Sequence, residues 1–232
     1  MVSSETNPAA PRGPRRFLDR DRAIAEIARA RRVLHLGCVG NTDLAPAERV
    51  ARARQSLHWM LSEIADTTGV DYSAEVVETY RADGLFDNIL VGDVQRLEAL
   101  DLAGPFDVVV AADIIEHLSN PGAMLDGIRR LCRADSDVVI TTPHAFGLPN
   151  YLRFLAGRFR DGAEHVMTFN ADNIANLLAR HGFRIIRLDS CHQANARRHG
   201  LAFGVARALL SAAPRLGGTL FVVARPEKPS AD

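Results

Sequence analysis

Four places in this chain put small or acidic residues directly after a short apolar run. Gly37, Cys38, Val39 and Gly40 follow "VLHL"; Asp71 ends "TGVD"; Gly92 and Asp93 close "NILVGD"; Asp113 closes "FDVVVAAD". Each has a chemical use. Glycine lets a backbone approach a ligand closely, because no Cβ intervenes. A carboxylate at a strand end can accept both hydrogen bonds of a ribose diol, and a second one nearby matches the donor of an adenine amino group. Singly these are ordinary turn residues, and Asp71 would equally suit a helix cap. In this order and spacing they point to a site for an adenosyl ligand.

A second group can move protons. His117 in "IIEHLSNP", His144 after "VVITTP" and His165 in "EHVMTF" are candidate general bases, since imidazole titrates near neutral pH. Each also has a plainer use. Glu116 and His117 can brace the turn before Pro121, His144 can continue a proline turn, and His165 can brace a lid. His58, His181, His192 and His199 read as surface or packing residues. No HxH or HxxxH pair stands in a convincing frame with a carboxylate, so no metal is expected. Asp113, Glu116 and His117 could meet one ion, but the helix turn they open explains them more simply.

The elements that must position these groups alternate. "FLDRDRAIAEIARA" has helical spacing, Val33–Leu36 is a strand, and "LHWMLSEIADT" returns apolar residues at helical intervals. A strand ending at Asp71, a helix stopped by Gly84, a strand "NILVGD" and a strand "FDVVVAAD" follow. The unbroken apolar run of the last indicates burial on both faces, as in a parallel sheet. "NPGAMLDGIRRLC" is a helix with Pro121 in its first turn, and "DVVITTP" is a fifth strand. "NADNIANLLARHGF" is a helix with Asn170 or Asp172 as its cap and Gly182 as its stop. "RIIRLDS" and "TLFVVAR" end the chain as strands, with an apolar helical stretch around 201–212 between them. This order predicts a doubly wound α/β, Rossmann-like sheet with helices on both faces and an antiparallel last strand, the closing pair forming its antiparallel margin. Ligands then bind beyond the carboxyl ends of the strands.

Composition narrows the field. The chain has 232 residues, 47% of them apolar, with 28 basic and 28 acidic side chains. A balanced charge does not suit a general nucleic-acid binder. Cys38, Cys132 and Cys191 are odd in number and lack CxxC spacing, as expected of buried thiols in a reducing compartment. No apolar run reaches membrane-spanning length, and residues 1–16 lack the apolar centre of a secretion signal. A cytoplasmic protein with a small-molecule partner, no nucleic acid and no membrane span is expected, as monomer or homodimer.

The stretches "VLHLGCVGN", "TGVDYS", "VGDVQRL", "FDVVVAADIIEHLSNPGAML", "VVITTPHAF" and "HVMTFNADNIANLLARHGF" together resemble the class I S-adenosylmethionine-dependent methyltransferases over nearly all of residues 31–225. The resemblance implies S-adenosyl-L-methionine as cofactor and S-adenosyl-L-homocysteine as product. It places Gly37, Cys38, Val39 and Gly40 around the methionine part, Asp71 on the ribose, Gly92 and Asp93 near adenine, Tyr72 and Val94 flanking its ring, and Asp113 on the pocket floor. His35 stands where the family commonly has an acid, and Val39 where it usually has a second glycine. The 34 positions from Gly37 to Asp71 include an arginine-rich stretch 45–56 that reads as an added flap.

The expected organisation is a disordered tail over 1–16, one domain over 17–226 with an insert at about 43–56 and a substrate lid at about 145–164, and a flexible end over 227–232. In the lid, Phe146, Leu148, Tyr151, Leu152, Phe154 and Phe159 can build an apolar wall, with Arg153, Arg158 and Arg160 available to an anionic group. The expected reaction is methyl transfer to a hydroxyl, less readily an amine, of a small organic acceptor: a sugar, a glycan precursor or a specialised metabolite. The His35 and Val39 departures leave a non-catalytic scaffold or protein-interaction module as the alternative. A nicotinamide enzyme fits less well, because GxGxxG is missing.

Overall fold

The computed structural model describes residues 13–40, 44, 46–157, 164–192 and 201–227. In chain order the first half runs β1 (Phe17–Asp19), α1 (Arg20–Ala28), β2 (Arg32–Leu36), α2 (Pro46–Ala53), α3 (Leu57–Ile64), β3 (Asp66–Asp71), α4 (Ala74–Ala82), β4 (Ile89–Val91) and β5 (Phe106–Ala112). The second half runs α5 (Pro121–Arg130), β6 (Cys132–Pro143), α6 (Leu148–Leu155), α7 (Ala171–Arg180), β7 (Phe183–His192), α8 (Leu201–Ala212) and β8 (Thr219–Pro226).

All eight strands form one sheet in the order β1-β7-β8-β6-β5-β2-β3-β4. The pairs β2–β3, β2–β5, β3–β4, β5–β6 and β1–β7 are parallel, while β8 is antiparallel to both β6 and β7. The tips of β2, β3, β4, β5 and β6 therefore share one edge of the sheet, where the order reverses on either side of β2.

Side-chain alternation explains why the strands read as unbroken apolar runs. On one face Leu34, Leu36, Val109, Ala111, Val138, Ile140, Leu220 and Val222 pack under Met124, Leu125 and Ile128 of α5 and Ile174 and Leu178 of α7. On the other, Val33, Val108, Val110, Val139, Phe221 and Val223 pack against Ile24 and Ala28 of α1 and Leu61 of α3. Covering both faces suits a parallel sheet. Leu178→Ala in this core would cost ~2–5 kcal/mol through lost burial and the cavity left behind. Helix ends are capped as their residues dictate: Asn120 accepts from the Ala123 amide in front of Pro121, and Asn170 and Asn173 form a reciprocal capping box on α7.

Three expectations change. Phe17–Asp19 opens as an edge strand on β7, and the helix begins only at Arg20, with Asp19 capping it through the Arg22 amide. The backbone is already paired at Arg15 and Arg16, whose amides donate to Leu188 O and Asp189 Oδ1; the tail's residues 1–12 lie outside the described residues. Of the closing strands only β8 is reversed, and it is inserted between β6 and β7, not placed at the margin. Among the described residues no helix is long and apolar enough to cross a membrane.

Candidate functional site

The tips of β2, β3 and β4 are tied together by backbone. Gly37 leaves β2 at φ +67°, and a Cβ there would come 2.4 Å from Ile114 Cδ1, so the turn closes against the residue that follows β5 and Asp113. Asp71 is buried; its Oδ2 accepts from the Val39 amide at 2.9 Å and its Oδ1 from the Ser73 amide at 3.0 Å. Burial raises its pKa, and these amides act in the opposite sense. The Gly92 amide donates to Asp71 O, which sets Asp93 just beyond the neighbouring tip. Asp93 is exposed and accepts from the Gln95 amide at 2.9 Å. Tyr72 stands in solvent, 72% exposed, while Val94 is buried.

Three more residues expected at the ligand have buried side chains. Val39 and Cys38 are buried in a cluster with Ala53 of the insert, Val76, Val77, Tyr80 and Phe86, so the β-branched side chain fills the floor and does not narrow the turn. The insert is the helix α2 as far as it is described; Asp43 lies outside the described residues. His35 is corrected from a cofactor contact to a buried pairing, its Nδ1 3.2 Å from Nδ1 of His58, because its side chain leaves β2 on the face opposite Leu34 and Leu36. Asn88 Nδ2 donates to Ser62 Oγ and Thr67 O, so its Oδ1 accepts from His58 Nε2, and His35 must then donate to His58 Nδ1. Both imidazoles are held neutral: burial takes His58 down to about 4 and puts His35 well below the usual range. Gly69 makes this floor possible, since a Cβ there would lie 2.8 Å from His58 Cε1.

Asp113 takes a left-handed backbone, φ +52°, which aspartate tolerates better than most residues. Its amide donates to Thr141 O at 3.0 Å, its Oδ1 accepts from Thr141 Oγ1 at 2.8 Å, and Arg20 makes an ion pair with Oδ2. Arg20 is itself buried. Its role was not readable from sequence, because Arg20 and Asp113 meet only through the fold.

The three candidate histidines divide. His144 is buried with Nδ1 donating to Gly217 O at 3.1 Å, and burial lowers its pKa. It ties the loop after β6 to the start of β8, as a brace. His117 and His165 come together with their rings edge to face, centroids 4.7 Å apart. The amides of Val166 and Met167 donate to Glu116 O at 2.9 and 3.3 Å, which holds the segment before α7 against the 3₁₀ turn Ile115–His117. Glu116, one residue earlier, is 1% exposed; its Oε2 accepts from Thr142 Oγ1 at 3.0 Å, and burial pushes its carboxyl up to about 7. Glu116 had looked like a brace. In the loop after β6, α6 buries none of its residues, and Phe146, Tyr151, Leu152, Phe154 and Leu155 all stand exposed. Arg158, Phe159 and Arg160 of the expected lid lie outside the described residues.

A family model described as "Methyltransferase domain" matches residues 10–188. The chain belongs to the class I S-adenosylmethionine-dependent methyltransferases. It is 30% identical over 138 residues to a ubiquinone biosynthesis O-methyltransferase of Xanthomonas oryzae pv. oryzae strain PXO99A, covering 56% of this chain and 52% of that one. To the protein of the same name from Pectobacterium carotovorum it is 31% identical over 121 residues, covering 51% and 45%. The chain thus spans about half the length of these curated relatives. A solved methyltransferase from Archaeoglobus fulgidus shares the fold with a TM-score of 0.54 and 18% identity, over 88% of this chain and 90% of that one.

S-Adenosylmethionine is the cofactor of this methyltransferase family, and the strand tips fit it on one observation. The Asp71 carboxylate is oriented by the amides of Val39 and Ser73, with the Tyr72 amide beside it, and with about four acceptor positions it keeps capacity for a ribose hydroxyl. The Gly37 turn offers backbone without a side chain, and Tyr72 offers an uncovered ring.

Proposed function

We propose that this methyltransferase transfers the cofactor's methyl group to a hydroxyl of a small, largely apolar acceptor. The observation that carries the reading is the meeting of Glu116, His117 and His165 next to the Gly37 turn, across Ile114. When bound, the cofactor supplies a sulfonium methyl group that is attacked in line. Asp71 and Asp93 then have the task of orienting the nucleoside, with Tyr72 against the adenine. Placement of this kind accounts for much of the barrier reduction in such a displacement. The Glu116–His117–His165 cluster has the task of receiving the acceptor hydroxyl and easing the loss of its proton, which an oxygen nucleophile requires. His144 drops to a positioning role.

The exposed aromatic and aliphatic face of α6 supports an apolar frame for the acceptor over a sugar, and the relatives named as O-methyltransferases support oxygen over nitrogen. Residues 17–226 act in this reading as one domain, with α2 as a cover at the cofactor end and 145–164 as a lid at the acceptor end. The three free cysteines fit residence in the cytoplasm. Transfer of a labelled methyl group to a panel of hydroxylated aromatic acceptors tests it. Transfer to amines alone would overturn the choice of atom.

A further inference from the structure

Among the described residues one group of three side chains has the composition and closeness of a metal site: Glu116, His117 and His165, whose potential ligand atoms all lie within 4.8 Å of one another. We infer that these three bind one divalent transition-metal cation, with Zn²⁺ as the reference ion, at the acceptor end of the cleft. The inference deepens the proposed function and rests on it for the cation's purpose, not for its binding.

Two imidazoles and one carboxylate suit zinc and its first-row neighbours better than magnesium or calcium, which prefer an all-oxygen shell. With bonds of about 2.1 Å to a tetrahedral ion, two ligands sit about 3.4 Å apart, so the cluster needs to draw in by roughly 1.4 Å at most. The surroundings are those of a ligand set. Thr142 Oγ1 donates to Glu116 Oε2 and orients the carboxylate. Glu164 Oε2 lies 3.9 Å from His117 Nδ1, beyond hydrogen-bond reach but close enough to add negative charge beside the site. The paired backbone of Val166 and Met167 with Glu116 O fixes His165 to the same turn. A buried carboxylate is costly without a positive partner; Glu116 has the His165 imidazole near it but, among the described residues, no arginine ion pair of the kind Arg20 gives Asp113. Sequence spacing hides the site, since 48 positions separate His117 from His165. Three protein ligands leave coordination positions open, where a hydroxyl would lose its proton to solvent more readily.

The test uses the full chain without a histidine tag, stripped with a chelator and titrated with Zn²⁺ against a chromophoric competitor. One equivalent should bind, and affinity should fall at least ~100-fold in His165→Ala and in Glu116→Gln, while His181→Gln, at a histidine paired with Asp126, leaves it unchanged. His165 is only partly buried, so its variant should stay folded if Glu116→Gln does not; circular dichroism checks both. Absence of stoichiometric binding, or equal binding by His165→Ala, overturns the inference. Calorimetry with S-adenosylhomocysteine separates the two readings. Cofactor binding without metal binding refutes the metal site alone, whereas a folded chain that binds metal but no cofactor refutes the proposed function.

Discussion

The two ends of the cleft are built differently. At the cofactor end the polar side chains are anchored on backbone: Asp71 on the amides of Val39 and Ser73, Asp93 on that of Gln95. Below them lies a closed floor in which His35, His58 and Asn88 leave no room for an alternative hydrogen-bond pattern. At the other end the groups that could do chemistry lean on one another, and helix α6, in the loop after β6, leaves its apolar side chains unburied. A ligand that never changes can be met by a rigid, backbone-defined frame. A ligand that differs among relatives is met by side chains on loops and a loosely attached helix, which can vary without disturbing the sheet.

The comparison can be broken in four places. The double variant His117→Ala/His165→Ala should lower turnover by ~10²–10⁴, the range for a lost proton-transfer device, with cofactor affinity unchanged in calorimetry; a parallel fall in affinity would merge the two ends. The floor should fail in acid. His58 is neutral in the fold, with a pKa of about 4 against an ordinary 6.5, so its contribution is whole above pH 6.5. It is lost as pH falls toward 4, because the unfolded chain binds the proton first, and ~3 kcal/mol is at stake. Thermal melts across that window should show the loss, and His58→Gln should flatten the profile while lowering stability at neutral pH. Asp71→Ala should weaken cofactor binding about 100-fold, as expected for a hydrogen bond to a charged acceptor, without unfolding the chain. Tyr72→Ala should cost about tenfold in affinity, near the low end of base–aromatic stacking, and leave the thermal midpoint in place because the ring is exposed.

The cofactor end was the more legible of the two in sequence. Strand tips are marked by where an apolar run stops, so Gly37, Asp71, Asp93 and Asp113 could be assigned to one edge before any strand order was known. What periodicity could not supply was the face a side chain takes and the partner it meets across the sheet. His35 was assigned to the ligand because it stands where the family commonly has an acid, yet a one-residue step in a strand reverses the face, and the fold gives it His58. Arg20 meets Asp113 from the first turn of α1, and it is set there by the edge strand β1, whose three residues carry no periodic signal. Glu116 sat in full view in "IIEHLSNP", but only its contact with Thr142 and the approach of His165 from before α7 distinguish it from a turn brace. The position of β8 was invisible for a related reason: a strand's hydropathy does not say between which neighbours it is inserted.

The central claim is that the tips of β2, β3 and β4 bind an adenosyl group. Calorimetric titration of the unaltered full chain with S-adenosylhomocysteine tests it most directly. The account predicts saturable heat with one molecule bound per chain. A sample shown to be folded that gives no binding heat and no shift in its thermal midpoint would contradict it.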